Sequence, residues 1–305
     1  MKIAISGGAG FVGSILTEAL VKRGHRVTVL TRAVQKDSAI SEGALLVEYD
    51  PANSGPWQQS IAEADVIINL AGASIFRRWT PKAKKEIFDS RILTTRHIVE
   101  ALSHRKDKKI HFFSISGIGY YGFSGDNILD ENSPAGSDFL AQVALAWESE
   151  ALRAMELGVR VVLCRLGHVL DSDGGVLRKL ATISNLHLAS RWGNGQQWLS
   201  WIHREDLTSI LLFLLDHQEL EGLFNLTSPN PVRNREMLTV LGQLLDKNAY
   251  MPPIPGFLFR LILGEFATVF LKGQRVVPRR ILDSGFRFSY PILDEALQDL
   301  LKSPK

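Results

Sequence analysis

The sequence predicts an α/β fold, a doubly wound parallel sheet followed by a small C-terminal domain. Three observations predict it. Short, almost wholly apolar strand-like runs alternate with helical patterns from residue 2 onward. A glycine-rich turn lies between the first such run and the first helix. The chain has 305 residues, 45% of them hydrophobic, which suits one large α/β domain with an appendage. Strands that are apolar on both faces mark a parallel sheet covered by helices on both sides.

The elements follow in order. "KIAIS" at residues 2–6 is a short β-branched strand, and Phe11 to Arg23 reads as a helix ended by Gly24. "RVTVL", "ALLVEY" and "DVIINL" are the second, third and fourth strands. Thr80-Pro81 opens a long helix to about Ser103, because Thr suits the N-cap and Pro the first helical position. Basic residues beyond Ser103 suit its C-terminal end. "KIHFFSI" and "VRVVLCRL" are the fifth and sixth strands. After Leu170 the pattern loosens, and "DSDGG" and "RWGNGQQW" read as loops. In "WIHREDL", Asp206 is expected to cap a helix that begins near Leu207. The strand "LFNLT" and a helix from Arg235 to Asp246 come next. "MPPIPG" marks a boundary, so the expected domains are residues 1–248 and 249–305.

Composition excludes several classes. The 35 Lys and Arg nearly balance the 32 Asp and Glu, leaving a formal net charge of +3 and no long basic run. Nothing in the charge points to nucleic acid. Cys164 is the only cysteine, so no internal disulfide forms. With no signal-peptide pattern in "MKIAISGGAG", the expected location is cytoplasmic. "IPGFLFRLILGEFATVFLKG" is interrupted by Arg260, Gly264 and Glu265, and predicts a buried or interface helix, not a membrane span. No His, Cys and Asp cluster has zinc spacing, and there is no serine-hydrolase elbow. The oligomeric state is not legible.

"SGGAGFVG" carries the clearest chemistry. Gly7, Gly10 and Gly13 fit G-x-x-G-x-x-G, and Gly8, Gly10 and Gly13 fit G-x-G-x-x-G. Glycines there permit a tight turn and close backbone approach, and the helix that starts at Phe11 and Val12 turns its N-terminus toward a pyrophosphate. This is the device of a Rossmann dinucleotide site. The second strand ends at Thr31-Arg32, where an NAD site usually carries an acid for the ribose 2′-hydroxyl. A guanidinium instead suits a 2′-phosphate, so NADP(H) is preferred over NAD(H).

Leu70, Ala71 and Gly72 follow the fourth strand, at the end of the sheet where such folds bind ligands. Asp50 suits either an adenine amine or a cap on the turn at Pro51. Arg91 falls in the middle of the apolar stripe Ile87, Thr94, Ile98, Ala101 and Leu102. A buried arginine needs an anion, supplied either by a cofactor or by a structural carboxylate. Glu86 flanks the stripe, within reach of a ribose hydroxyl or simply solvated.

Together these segments resemble the extended short-chain dehydrogenases/reductases, and within them the atypical "epimerase family" branch. The matching pieces are "GGAGFVG", "NLAG", "DSRILTTR", "SISGIGYYG", "DFLAQVALAWE", "WIHREDL" and "KGQRVVPRRILDSGFRFSYPILDEAL". The resemblance implies NADP(H) contacts at the glycine loop, Thr31-Arg32, Leu70-Ala71, Glu86, Arg91 and the stretch from Gly167 to Val169. It also implies that Ser116 stands at the active-site serine position. "SISGIGYYG" departs from the "SASAVGYYG" that other members often carry.

A larger departure is the missing catalytic pair. Where Tyr-x-x-x-Lys is expected, the chain has Phe139 and Val143. None of Tyr49, Tyr120, Tyr121, Tyr250 and Tyr290 is followed by Lys four residues later. Phe139, Val143 and Trp147 share one helix face, a packing pattern. Ser116, Tyr121 and His203 remain as catalytic candidates, with His168 behind them. Tyr121 is expected to keep a pKa near 10 for want of a neighbouring cation. Two functions follow. One is an oxidoreductase or isomerase acting on a small carbonyl or hydroxyl substrate. The other is an NADP(H)-binding module without turnover that reports redox state to a partner, for example in cell division. A pocket lined by Ser116, Tyr121 and His203 would favour the first. A pocket filled by Phe139, Trp147 or the C-terminal domain would favour the second.

Overall fold

The computed structural model describes residues 1–32, 34, 42–105, 109–185, 190–246, 252 and 254–302. In chain order its strands are β1 (Lys2–Ser6), β2 (Arg26–Thr31), β3 (Leu45–Glu48), β4 (Val66–Asn69), β5 (His111–Gly117), β6 (Ile128–Leu129), β7 (Arg160–Leu166), β8 (His168–Asp171), β9 (Trp198–Leu199), β10 (Trp201–His203), β11 (Gly222–Leu226), β12 (Val232–Arg233) and β13 (Arg275–Val276). The main helices are α1 (Phe11–Lys22), α2 (Gln58–Ala62), α3 (Pro81–Ser103), α4 (Phe139–Leu152), α5 (Gly175–Asn185), α6 (Arg204–Asp216), α7 (Asn234–Leu244) and α8 (Gly256–Leu263).

Seven strands form one sheet in the order β11-β7-β5-β4-β1-β2-β3, every pairing parallel. This is the doubly wound fold. Alternate side chains leave opposite faces of each strand. Ile3, Ile5 and Phe113 pack with Leu16 of α1 and Leu207, Ile210 and Leu214 of α6. Ala4, Ile67 and Phe112 pack on the other face with Ile61, Ile98 and Leu102. The chain winds outward from β1 to β3, then crosses back to β4, so the strand order reverses between β1 and β4. A crevice opens beyond the C-terminal ends of strands at such a reversal. On β7, Cys164 is fully buried, and burial pushes its thiol far above the usual range.

Thr80 caps α3 as its sequence predicts, its Oγ1 accepting from the Ala83 N–H at 3.2 Å. Helix α3 ends at Ser103, and the basic residues expected beyond it begin at the C-cap, His104, with none inside the last turn. A second expectation is corrected. Helix α6 begins at Arg204, and its N-cap is His203, whose Nδ1 accepts from the Glu205 N–H at 3.2 Å. Asp206 therefore lies inside the first turn. Its carboxylate accepts from the Ser289 N–H at 2.8 Å and the Tyr290 N–H at 3.0 Å, tying the C-terminal segment to α6. Further ties are β13 beside β6, and the helix Leu293–Lys302, whose Ala296, Leu297 and Leu300 pack with Met237 and Leu241 of α7.

The expected boundary between residues 248 and 249 lies outside the described residues. Of the two expectations for the apolar segment, a buried or an interface helix, α8 does not meet the first: Phe257, Leu261 and Ile262 are 67%, 73% and 67% exposed, while Phe266 and Ala267 just beyond it are buried. No helix among the described residues is long and apolar enough to cross a membrane.

Candidate functional site

The glycine loop joins β1 to α1 at the crevice. Gly7 has φ +74°, and a Cβ on it would lie 2.9 Å from the Leu70 carbonyl carbon. At Gly13 a Cβ would lie 2.2 Å from the Gly7 oxygen. Gly10 is the N-cap of α1, without a side-chain cap, and its N–H donates to Gly7 O at 3.0 Å. The loop is thus a bare backbone cradle at a helix N-terminus, the geometry that receives phosphate. Phe11 lies against Gly174 and Gly175, and Phe11 and Val12 pack on the core that holds Val169. Beneath the loop, Asn69 accepts from the Ser6 hydroxyl at 2.6 Å and from the Ala71 N–H at 3.2 Å. Its amide donates to Thr95 Oγ1 at 2.8 Å, so the strand end that carries Leu70 and Ala71 is fixed.

Thr31 ends β2 beside Glu48. Arg32 is exposed and borders a groove shared with Tyr49, Asp50 and Trp57. Most of the turn after it, residues 33 and 35–41, lies outside the described residues. Asp50 caps its own turn, accepting from the Ala52 N–H at 2.9 Å and the Asn53 amide at 2.7 Å.

Arg91 is the cation of the crevice. Its guanidinium occupies the space a Gly72 Cβ would need, 2.8 Å from the guanidinium carbon, and lies over the Trp147 ring at 5.2 Å. It donates to the carbonyls of Ala73 and Ile87, both at 3.0 Å. No carboxylate among the described residues is within ion-pair distance of it. Burial alone lowers its pKa to about 10. Glu86 instead pairs with Arg77 at 2.7 Å on the exposed side of α3.

Beside Arg91 opens a cavity of about 290 Å³. Ser116, Gly117, Gly167 and His168 line it, at the ends of β5 and β7. The Ser116 hydroxyl donates to Glu148 Oε1 at 2.6 Å. Glu148 is held bidentately by Arg165, whose Nε and Nη2 donate at 2.8 and 2.7 Å. Arg165 and Glu148 are only 3% and 4% exposed. This buried triad is absent from the sequence reading.

Tyr121 and His203 do not line the cavity. Tyr121 donates to Asn225 Oδ1 at 2.7 Å and is buried. It does have a neighbouring cation, contrary to expectation: Arg165 lies over the rings of Tyr120 and Tyr121 at 3.2 and 4.9 Å. Burial outweighs that cation and pushes the Tyr121 pKa up to about 12. His203 is fully buried, stacked on Tyr290 at 3.9 Å, with Nε2 3.3 Å from Asp299. Phe139 packs edge-on to Trp79 at 5.1 Å, while Val143 and Trp147 form part of the cavity wall without filling it. Val269, Phe270, Lys272 and Gln274 of the C-terminal segment complete that wall.

Comparison with known proteins gives this geometry its family. The profile of the NAD dependent epimerase/dehydratase family matches residues 3–226. The chain belongs to that family. A second profile, a domain of unknown function (DUF1731), matches residues 254–300. The epimerase-family chain is 37% identical over 304 residues to the Arabidopsis thaliana protein named Epimerase family protein SDR39U1 homolog, chloroplastic, covering 99% of this chain and 87% of that one. It is 34% identical over 306 residues to Epimerase family protein YfhF of Bacillus subtilis (strain 168), covering 100% and 99%. Among solved structures, human epimerase family protein SDR39U1 (isoform 2) with NADPH aligns over 100% of both chains, with TM-score 0.85 and 30% identity. The Bordetella bronchiseptica enzyme WbmG in complex with NAD has TM-score 0.80 at 18% identity, covers 99% of this chain and 93% of that one, and shares the fold.

Two histidines give this family member a pH signature. Burial lowers His168 and His203 from 6.5 to about 4, and Asp299 only partly opposes this at His203. The unfolded chain therefore takes up protons first as pH falls. The stabilisation is complete above about pH 6.5 and is lost as pH drops toward about 4. The urea midpoint is expected to fall between about pH 7 and about pH 5. A flat midpoint over that range would mean that both rings are solvated.

Proposed function

We propose that the chain is an NADP(H)-binding, atypical short-chain dehydrogenase/reductase, an oxidoreductase or isomerase on a small carbonyl or hydroxyl compound. The observation that carries this reading is the open cavity that joins Ser116 to the half-buried Arg91, which has no carboxylate partner among the described residues. The cradle at Gly7, Gly10 and Gly13 fits a pyrophosphate, and Arg32 fits a 2′-phosphate. Arg91 fits the anionic or ribose side of the cofactor, and Val169 backs the wall beside Phe11. The solved relative with NADPH supports the same choice. The cofactor would supply or take up the hydride.

The remaining chemistry belongs to the chain. The Ser116 hydroxyl donates its hydrogen bond to Glu148, which leaves its oxygen lone pairs for the cavity. It is suited to accept from a substrate hydroxyl and is poorly suited to act as an acid. His168, neutral at pH 7, adds a half-buried imidazole to the same wall. Without a positioned acid, turnover is expected to run about 10²–10⁴ below that of a site with one. The lone, buried Cys164 supports a reducing compartment such as the cytoplasm.

Thermal shift tests the reading. NADPH at a hundred times its Kd should add about 2.7 kcal/mol, a shift of several degrees, and NADH should add less. Arg32→Ala should erase the difference between them. No shift with either nucleotide would sink the proposal. The missing Tyr and Lys favour a second reading, a binding module without turnover. Tight NADPH binding with no NADPH oxidation across a panel of carbonyl compounds would select it.

A further inference from the structure

The outer half of the cavity has a chemistry of its own. Trp192, Trp198, Phe123 and Phe270 line it, together with the exposed Lys272. Arg91 and Lys272 are the only cationic side chains in the whole lining among the described residues. Arg91 lies against Gly72 and Trp147, on the side of the cavity that the glycine loop and β4 approach. Two more arginines stand nearby, and both are stacked on the Trp198 ring. Arg233 is 3.9 Å from its centroid and paired with Asp126 at 2.6 Å, and Arg275 is 4.5 Å from the centroid. Neither lines the cavity. A nucleoside diphosphate would need several convergent cations for its two phosphates. The outer cavity offers one. Lys272 has no acid within ion-pair distance among the described residues, and its Nζ lies 5.4 Å from the Phe123 ring.

We propose that the outer cavity takes a flat, apolar ring compound carrying a single anionic group, and not a nucleotide sugar. The rings lie among the tryptophan and phenylalanine side chains, and the anion meets Lys272. A carbonyl or hydroxyl on the inner edge of the compound would face Ser116. This inference rests on the reading above, which places NADP(H) on the Arg91 side.

Two probes test it on the full chain saturated with NADP⁺, which does not fluoresce. Anilinonaphthalene sulfonate carries one anion, and phenylnaphthylamine has the same rings without it. Both should bind with enhanced emission. Lys272→Ala should weaken the sulfonate about threefold and leave the neutral probe unchanged. Val269→Trp, which narrows the cavity, should exclude both. Leu261→Asp, on the exposed face of α8, should change neither. Displacement of both probes by a uridine diphosphate sugar would overturn the proposal. So would a Val269→Trp variant that binds as wild type does, or a signal lost in Leu261→Asp. Repeating the titration without NADP⁺ separates the two readings. Probe binding that persists where NADPH gives no thermal shift sinks the cofactor reading and leaves this one standing.

Discussion

Glu148→Ala is expected to lower the unfolding free energy by about 3–5 kcal/mol, among the largest effects of any single change in this chain. The cause is not the loss of attraction alone. Removing the carboxylate leaves the Arg165 guanidinium sealed between β7 and the Tyr120 ring with no counter-charge. One of its nitrogens, Nη1, has no hydrogen-bond partner even with Glu148 in place. Replacing both partners with apolar residues, Glu148→Leu with Arg165→Met, should recover most of the loss, because no buried charge then remains. Urea unfolding of the two single variants and the double variant would show this as a strong coupling energy. A Glu148→Ala loss below about 1 kcal/mol would mean that water reaches the pair.

The second large effect concerns binding. Gly13→Ala is expected to abolish the NADPH thermal shift while leaving a folded protein. The added Cβ would lie 2.2 Å from the Gly7 oxygen and 2.6 Å from the Gly8 Cα, both backbone atoms that cannot rotate aside. The loop must open, and overpacking of this kind costs about 1–3 kcal/mol. Gly24→Ala is the control. Gly24 has φ +82° with nothing within 4 Å of a Cβ, so alanine there adds only backbone strain of about 1–2 kcal/mol. Its NADPH shift should survive. If Gly13→Ala keeps the full shift, the loop does not cradle phosphate.

The sheet was legible because each central strand is apolar on both faces, and the cap at Thr80 because Thr-Pro has few other uses. The cap of α6 was misread because Asp is the commoner N-cap, and only the fold shows Asp206 engaged by Ser289 and Tyr290. The buried triad joins residues on three different elements, a proximity that spacing along the chain does not record. Two of its three members still left a trace. Glu148 falls on the buried stripe Ala141, Ala144 and Ala151 of α4, and Arg165 interrupts an apolar strand. An arginine among apolar residues needs an anion, yet no carboxylate among the described residues pairs with Arg91. The same requirement holds with more force for Arg165. The cavity itself was not legible, since part of its wall comes from the C-terminal segment, more than a hundred residues after Ser116.

The sealed thiol of Cys164 makes the chain a silent background for site-directed labelling. A maleimide has no other cysteine to find, and this one is shielded on both faces of the sheet. A cysteine introduced on the surface, as in Lys272→Cys, would be the sole reactive position without any prior removal of native thiols. A spin label or fluorophore there would report directly how the lip of the cavity moves as ligands are added.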